Sequence, residues 1–115
     1  MQASRRARPK PRWIDPFTPE HIRRLVADFG SPLLIIDCAR VRAQYRSLAR
    51  ALPGVDLHYA LKPLPHAAVI ETIREEGGFF DLATTGEVQL VSRLGIDPAR
   101  CIHTHPIKRD IDIRN

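Results

Sequence analysis

The sequence predicts a parallel α/β fold, and three observations point to it. Short apolar runs alternate along the chain with stretches in which apolar residues recur at i, i+3 and i+4. Glycine and proline close each stretch, so the connections are short. The resulting order is strand, helix, strand, helix, strand, helix, strand, which is the pattern of a parallel sheet with crossover helices. The expected strands are residues 33–37, 55–62, 79–83 and 101–105, in sequential order with helices outside.

The elements follow in chain order. Arg5, Arg6, Arg8, Lys10 and Arg12 meet no acid in the first twelve residues and account for the whole formal net charge of +5. Residues 1–17 therefore read as a basic, proline-punctuated arm. Such a composition cannot bury a core, so a solvated, disordered tail is the reading preferred over a nucleic-acid contact. Residues 18–115 form the folded part. Thr18, Pro19 and Glu20 give a helix start: a cap, a proline at the first helical position and an acid in the first turn. Ile22, Leu25, Val26 and Phe29 make the apolar stripe, and Gly30 ends it. Residues 33–36 are apolar on both parities, as in a strand covered on both faces.

Asp37 is placed to cap the next helix, which buries Val41, Tyr45, Leu48 and Leu52, while Arg42, Arg46 and Arg50 line another face. Residues 55–62 alternate strictly. Val55, Leu57, Tyr59 and Leu61 share one side, and Asp56, His58, Ala60 and Lys62 share the other. Pro63 and Pro65 break the strand. Residues 67–76 form a helix ending at Gly77 and Gly78. A third strand carries Asp81, Thr85 is expected to cap a helix with Val88, Val91 and Leu94, and Asp97–Pro98 makes a turn. A last helix begins near Lys108. The alternation of residues 55–62 suits a barrel better than an open sheet. Its polar parity would line the interior and place Lys62 inward at a strand's C-terminal end, where barrel active sites are built.

Two cysteines, Cys38 and Cys101, give no disulfide framework or zinc spacing, so a reduced, cytoplasmic protein is expected. No apolar run is long enough for a membrane span, and the basic N-terminus lacks an apolar signal region. Three features could carry chemistry. Lys62, at a strand end beside an aromatic residue and two prolines, is a candidate Schiff-base lysine, with a lysine snorkelling to water as the plain alternative. Asp81 on an apolar strand is costly unless paired or functional, and Glu87 reads equally well as a helix-dipole acid. His103 and His105 could share a metal, but no third ligand stands at convincing spacing. His58 and His66 read as structural or surface groups.

Four ordered motifs then carry a resemblance. Tyr59-Ala60-Leu61-Lys62 resembles the Y-A-x-K signature of the ornithine, diaminopimelate and arginine decarboxylases, which have the alanine-racemase-like barrel. Residues 78–88, Gly-Phe-Phe-Asp-Leu-Ala-Thr-Thr-Gly-Glu-Val, are similar to that family's G-x-F-D-x-A-S-x-G-E-[IV]. Residues 94–100 match its L-G-V-x-P-x-R turn, and Thr104-His105-Pro106-Ile107-Lys108 resembles A-N-P-x-K. Leu64, Ala67 and His105 depart from the usual residues.

The resemblance implies a partial (β/α)8 barrel of TIM type, about the first four βα units, with pyridoxal 5'-phosphate as cofactor. It implies Lys62 as the cofactor lysine, Ala60 packed beside the ring, and Asp81 and Glu87 as acids near the attachment point. The implied activity is decarboxylation of a basic amino acid of ornithine type, in polyamine biosynthesis, by a homodimer when full length. The family's stacking histidine, glycine-rich phosphate loop, acid for the pyridine nitrogen and C-terminal β-domain are not in this sequence, so a truncated barrel, inactive alone, is expected. A non-catalytic cofactor-binding or regulatory barrel is the alternative. The F-D-x-A-x-x-G-E element favours the decarboxylase branch over single-domain cofactor-homeostasis proteins, and the alanine racemase lysine context is absent.

Overall fold

The computed structural model describes residues 17–114. The chain divides into two compact units, the first ending at Ile35 and the second starting at Ile36. The basic arm expected at residues 1–17 lies, apart from Phe17, outside the described residues.

The described part of the first unit is built around α1 (Pro19–Phe29). The Thr18 hydroxyl accepts from the His21 N–H at 3.1 Å, satisfying one of the donors that a helix start leaves open. Gly30 stops the helix at φ 85°, a left-handed conformation that a side chain would oppose.

The second unit contains α2 (Cys38–Ala51), β1 (His58–Ala60), α3 (Ala67–Glu75), β2 (Phe79–Leu82), α4 (Thr85–Arg93), a 3-10 turn (Pro98–Arg100), β3 (Cys101–His103) and α5 (Asp110–Arg114). The sheet is parallel with order β1-β2-β3. Each crossover steps to the next strand in the same direction, as a barrel requires and a doubly wound sheet does not. The expected α/β class and partial barrel are what the chain adopts.

Alternation sorts the strands into two faces. Leu61, Phe80 and Leu82 are buried with Val69, Ile70 and Ile73 of α3, Val91 of α4 and Ile96 in one apolar cluster. Ile36, Val41 and Tyr45 pack against it from the edge. On the opposite face His58, Ala60 and Ile102 are exposed, while Phe79 and Asp81 are half-buried. α2 is tied to α3 by charge. Arg42 donates to Glu75 and, at 2.6 Å, to Glu76, and Arg46 grips Glu76 through two nitrogens at 2.6 and 2.9 Å. The arginine face read from the i+4 spacing is thus the docking face for the end of α3.

Three expectations need correction. Residues 33–37 form no strand, and Leu34 is 77% exposed. A strand is defined by a neighbour that takes its N–H and C=O groups, and an apolar run supplies none. Among the described residues the sheet therefore has three strands, not four. The strand expected over 55–62 is shorter, because only the stretch from Leu57 to Leu61 finds partners on β2: Phe79 N–H donates to Leu57 C=O at 3.0 Å, and Leu61 N–H to Asp81 C=O at 3.1 Å. The cap of α4 is Thr84 rather than Thr85, since it is the Thr84 hydroxyl that accepts from the Glu87 N–H at 3.2 Å.

Candidate cofactor site

The C-terminal edge of the sheet carries Ala60, Asp81 and the turn of Lys62. Lys62 lies two residues past β1, in a turn rather than on the strand. The turn is pinned at several points. Leu64 N–H donates to Leu61 C=O at 3.1 Å, and the Tyr59 hydroxyl donates to Leu64 C=O at 2.9 Å. Burial pushes the Tyr59 phenol pKa up, which keeps it a donor. Pro63 and Pro65 fix two further φ angles. Lys62 itself is exposed, and among the described residues its ammonium has no hydrogen bond or ion pair.

Ala60 stands directly opposite Asp81 in the β1–β2 register, and both belong to the open face. A methyl side chain there leaves the floor beside the lysine turn clear. Asp81 accepts from the Thr104 hydroxyl at 2.7 Å through Oδ1. Its other oxygen has no partner among the described residues.

Glu87 behaves differently. It is 8% exposed, and its Oε2 accepts from the Ala83 N–H at 2.7 Å. Its own N–H donates to the Thr84 hydroxyl, so Glu87 ties both Ala83 and Thr84 to the first turn of α4. The structure thus engages Glu87 in the loop that joins Asp81 to α4. Beside that loop, Thr85 donates to Asp112, and Arg109 holds the same carboxylate through Nε at 2.9 Å and Nη2 at 3.1 Å. Arg109, then Thr85, hold the Asp112 carboxyl well below the usual carboxylate range.

The histidine pair is not gathered into a site. His103 pairs with Leu82 in the β2–β3 register, and both its ring nitrogens are buried without a partner. His105, past the strand, has Nδ1 2.7 Å from the Ile107 carbonyl. Among the described residues no group of three or more His, Cys, Asp or Glu side chains could hold a metal. None of the described helices is long and apolar enough to cross a membrane.

Residues 38–115 match the family model described as the pyridoxal-binding domain of pyridoxal-dependent decarboxylases. The chain belongs to the pyridoxal-dependent decarboxylase family. Its similarity to individual members is consistent with this. It is 34% identical over 94 residues to the diaminopimelate decarboxylase of Methanothermobacter thermautotrophicus, covering 78% of this chain and 22% of that protein. The lysine/ornithine decarboxylase of Vibrio vulnificus, solved with cadaverine, superposes with a TM-score of 0.80 at 59% identity, over 83% of this chain and 26% of that one. The lysine decarboxylase of Selenomonas ruminantium superposes with a TM-score of 0.78 at 26% identity, over 82% of this chain and 25% of that one. A solved complex of SrLDC with PLP and cadaverine matches equally well. The chain thus spans about a quarter of the length of the relatives it matches.

Pyridoxal phosphate is the cofactor of this family's domain, and the donors on the open face fit it. A decarboxylase-family site needs an amine free to meet an aldehyde, a small neighbour that does not crowd a flat ring, and an acid with an oxygen to spare. On the open face Lys62 carries an exposed amine, Ala60 a methyl group and Asp81 a carboxylate with one oxygen unengaged. Thr104 and the Thr85–Asp112–Arg109 clamp were not singled out from the sequence. Strand alternation puts Thr104 on the parity of Ile102, the neighbour of Asp81, but does not disclose the hydrogen bond between them. The clamp has no such signal, because it joins the start of α4 to α5 across 27 residues of sequence.

Proposed function

We propose that this chain is the cofactor-lysine portion of a carboxy-lyase acting on a basic amino acid of the ornithine or lysine type, in the supply of polyamines. The observation that carries this is the exposed, unpartnered amine of Lys62, fixed by its turn at the C-terminal sheet edge beside Ala60 and Asp81. The likeness to the lysine/ornithine decarboxylase of Vibrio vulnificus at 59% identity supports the choice of substrate class over diaminopimelate.

In this reading Lys62 Nζ would be the group that holds pyridoxal phosphate by its aldehyde. When bound, the cofactor's ring accepts the electron pair left as the substrate's α-carboxylate departs as carbon dioxide. Everything else is done by side chains of this chain. Asp81, opposite Ala60 in the strand register and with one oxygen unengaged, would orient Nζ. Ala60 leaves room for a planar group. Glu87 holds the loop between β2 and α4 in place through Ala83 N–H and would stand near the attachment point.

The test is capture. The full gene product is incubated with pyridoxal phosphate, reduced with borohydride and mapped by mass spectrometry. The adduct is expected on Lys62. Lys62→Ala and Lys62→Arg both remove it, because a guanidinium keeps the charge but forms no stable imine. An adduct on Lys108 or Lys10 in preference to Lys62 refutes the assignment. Release of carbon dioxide from ornithine or lysine, compared with diaminopimelate, decides the substrate. The 115-residue segment alone is expected to capture the cofactor loosely and release none, since its site lies on a face open to water.

A further inference from the structure

The contact that the proposed mechanism has not used is the one between Thr104 and Asp81. Thr104 immediately follows β3, and its hydroxyl lies 2.7 Å from Asp81 Oδ1 across the β2–β3 pair. The residue is a threonine where the related motif has alanine, which has no hydrogen-bonding group to offer. Here the acid that the resemblance puts near the attachment point, and that stands opposite Ala60 in the register, has one oxygen occupied and one spare. A carboxylate on a short side chain turns about χ2 with little restraint. A single donor on one oxygen removes that freedom, and a β-branched donor with few χ1 rotamers is a firm one. The hydroxyl also adds no charge that would compete with the lysine for the carboxylate.

We infer that Thr104 is a positioning residue for the cofactor lysine: it locks Asp81 through Oδ1, so that Oδ2 is presented to the amine of Lys62. This rests on the cofactor reading above and adds to it how the acid is oriented. It also gives the A-N-P-x-K segment a task in this chain beyond leading into α5. If Thr104 acts only through Asp81, its removal matters only while Asp81 is a carboxylate.

The experiment is a double-mutant cycle in the full gene product, read by the cofactor concentration that half-saturates borohydride trapping on Lys62, with thermal midpoints measured alongside. Thr104→Val removes the donor and keeps the shape, and should raise that concentration about tenfold, the scale of one hydrogen bond to a charged group. Thr104→Ser restores the donor and should bring it back to within about twofold of the parent. In an Asp81→Asn background Thr104→Val should change it by less than about twofold. A tenfold effect that persists with Asp81→Asn, a serine variant that behaves like valine, or an unchanged Thr104→Val overturns the inference. A parent protein that traps no cofactor on Lys62 overturns the functional reading itself, a result distinguishable from the others because it appears before any Thr104 variant is made.

Discussion

The two faces of the three-stranded sheet are built from alternate residues of the same strands, yet they differ in nearly every physical respect. On one, Leu61 and Phe80 are 0% exposed and packed against α3 and α4. On the other, His58 stacks on Phe79 with ring centroids 5.0 Å apart, and the Arg100 guanidinium lies 5.1 Å from the centre of the Phe79 ring. Beyond them stand Ala60, Asp81 and Thr104. One residue of shift along a strand exchanges the two roles. The covered face therefore carries the stability of this unit, and the open face is left free to carry chemistry. Substitutions on the first should act on folding with little regard to cofactor, and those on the second should act on cofactor with little regard to folding.

The sharpest challenge to that division is Phe80→Ala. It removes the largest wholly buried side chain, and a change of this type costs about 3–5 kcal/mol. In a unit with so small a core the expected outcome is loss of the cooperative thermal transition, followed by circular dichroism. A retained transition with a midpoint close to the parent's would mean that the helices are held mainly by something other than this face.

Gly78→Ala probes the seam between α2, α3 and β2 with a smaller effect. A β-carbon there would stand 2.5 Å from Ile73 Cγ2, 3.0 Å from Tyr45 Cε2 and 3.1 Å from the Ile73 carbonyl. Two of these atoms belong to one buried residue, so it cannot simply swing away. Overpacking of this kind costs about 1–3 kcal/mol, readable as a lowered urea midpoint with unchanged cofactor trapping per folded molecule. A neutral result would show that Ile73 has room to move.

The smallest effect concerns the charge clamp on the covered side. Arg46 first, then Arg42, hold the Glu76 carboxyl down at about 2, against an ordinary value of 4.5. Its folded pKa lies below the unfolded one, so its contribution is complete above about 4.5 and is lost as the pH falls toward 2. Thermal midpoints of the parent and of Glu76→Gln, measured across that range, should converge as the solution is acidified. Curves that run parallel would show that the arginines grip the variant as well.

What the sequence made legible follows from these physics. Period and punctuation sufficed for α1, α2 and α3, whose caps at Thr18, Asp37 and the Gly77 stop are local devices. The parity of residues 57–62 separated Leu61 from Ala60, and so the covered face from the open one. The failures are non-local. Residues 33–37 look like a strand by composition, but whether such a run enters a ladder depends on a neighbour that composition does not name. Thr84 and Thr85 are equal candidates for a cap until the chain's path chooses between them. Of the candidate site, Lys62, Ala60 and Asp81 came from a four-motif resemblance. Thr104 and Asp112 were not, since their meaning lies in contacts 23 and 27 residues away.

The turn that carries Lys62 has a consequence for the entropy of capture. Its backbone is already fixed by the Leu61–Leu64 hydrogen bond, by the Tyr59 hydroxyl and by two proline rings. A lysine on a mobile loop would surrender backbone freedom worth roughly 1–2 kcal/mol per residue on taking a ligand, in addition to that of its side chain. Here only the side-chain share, on the order of 2 kcal/mol, is left to lose. Most of the ordering has been completed by folding, before any ligand arrives.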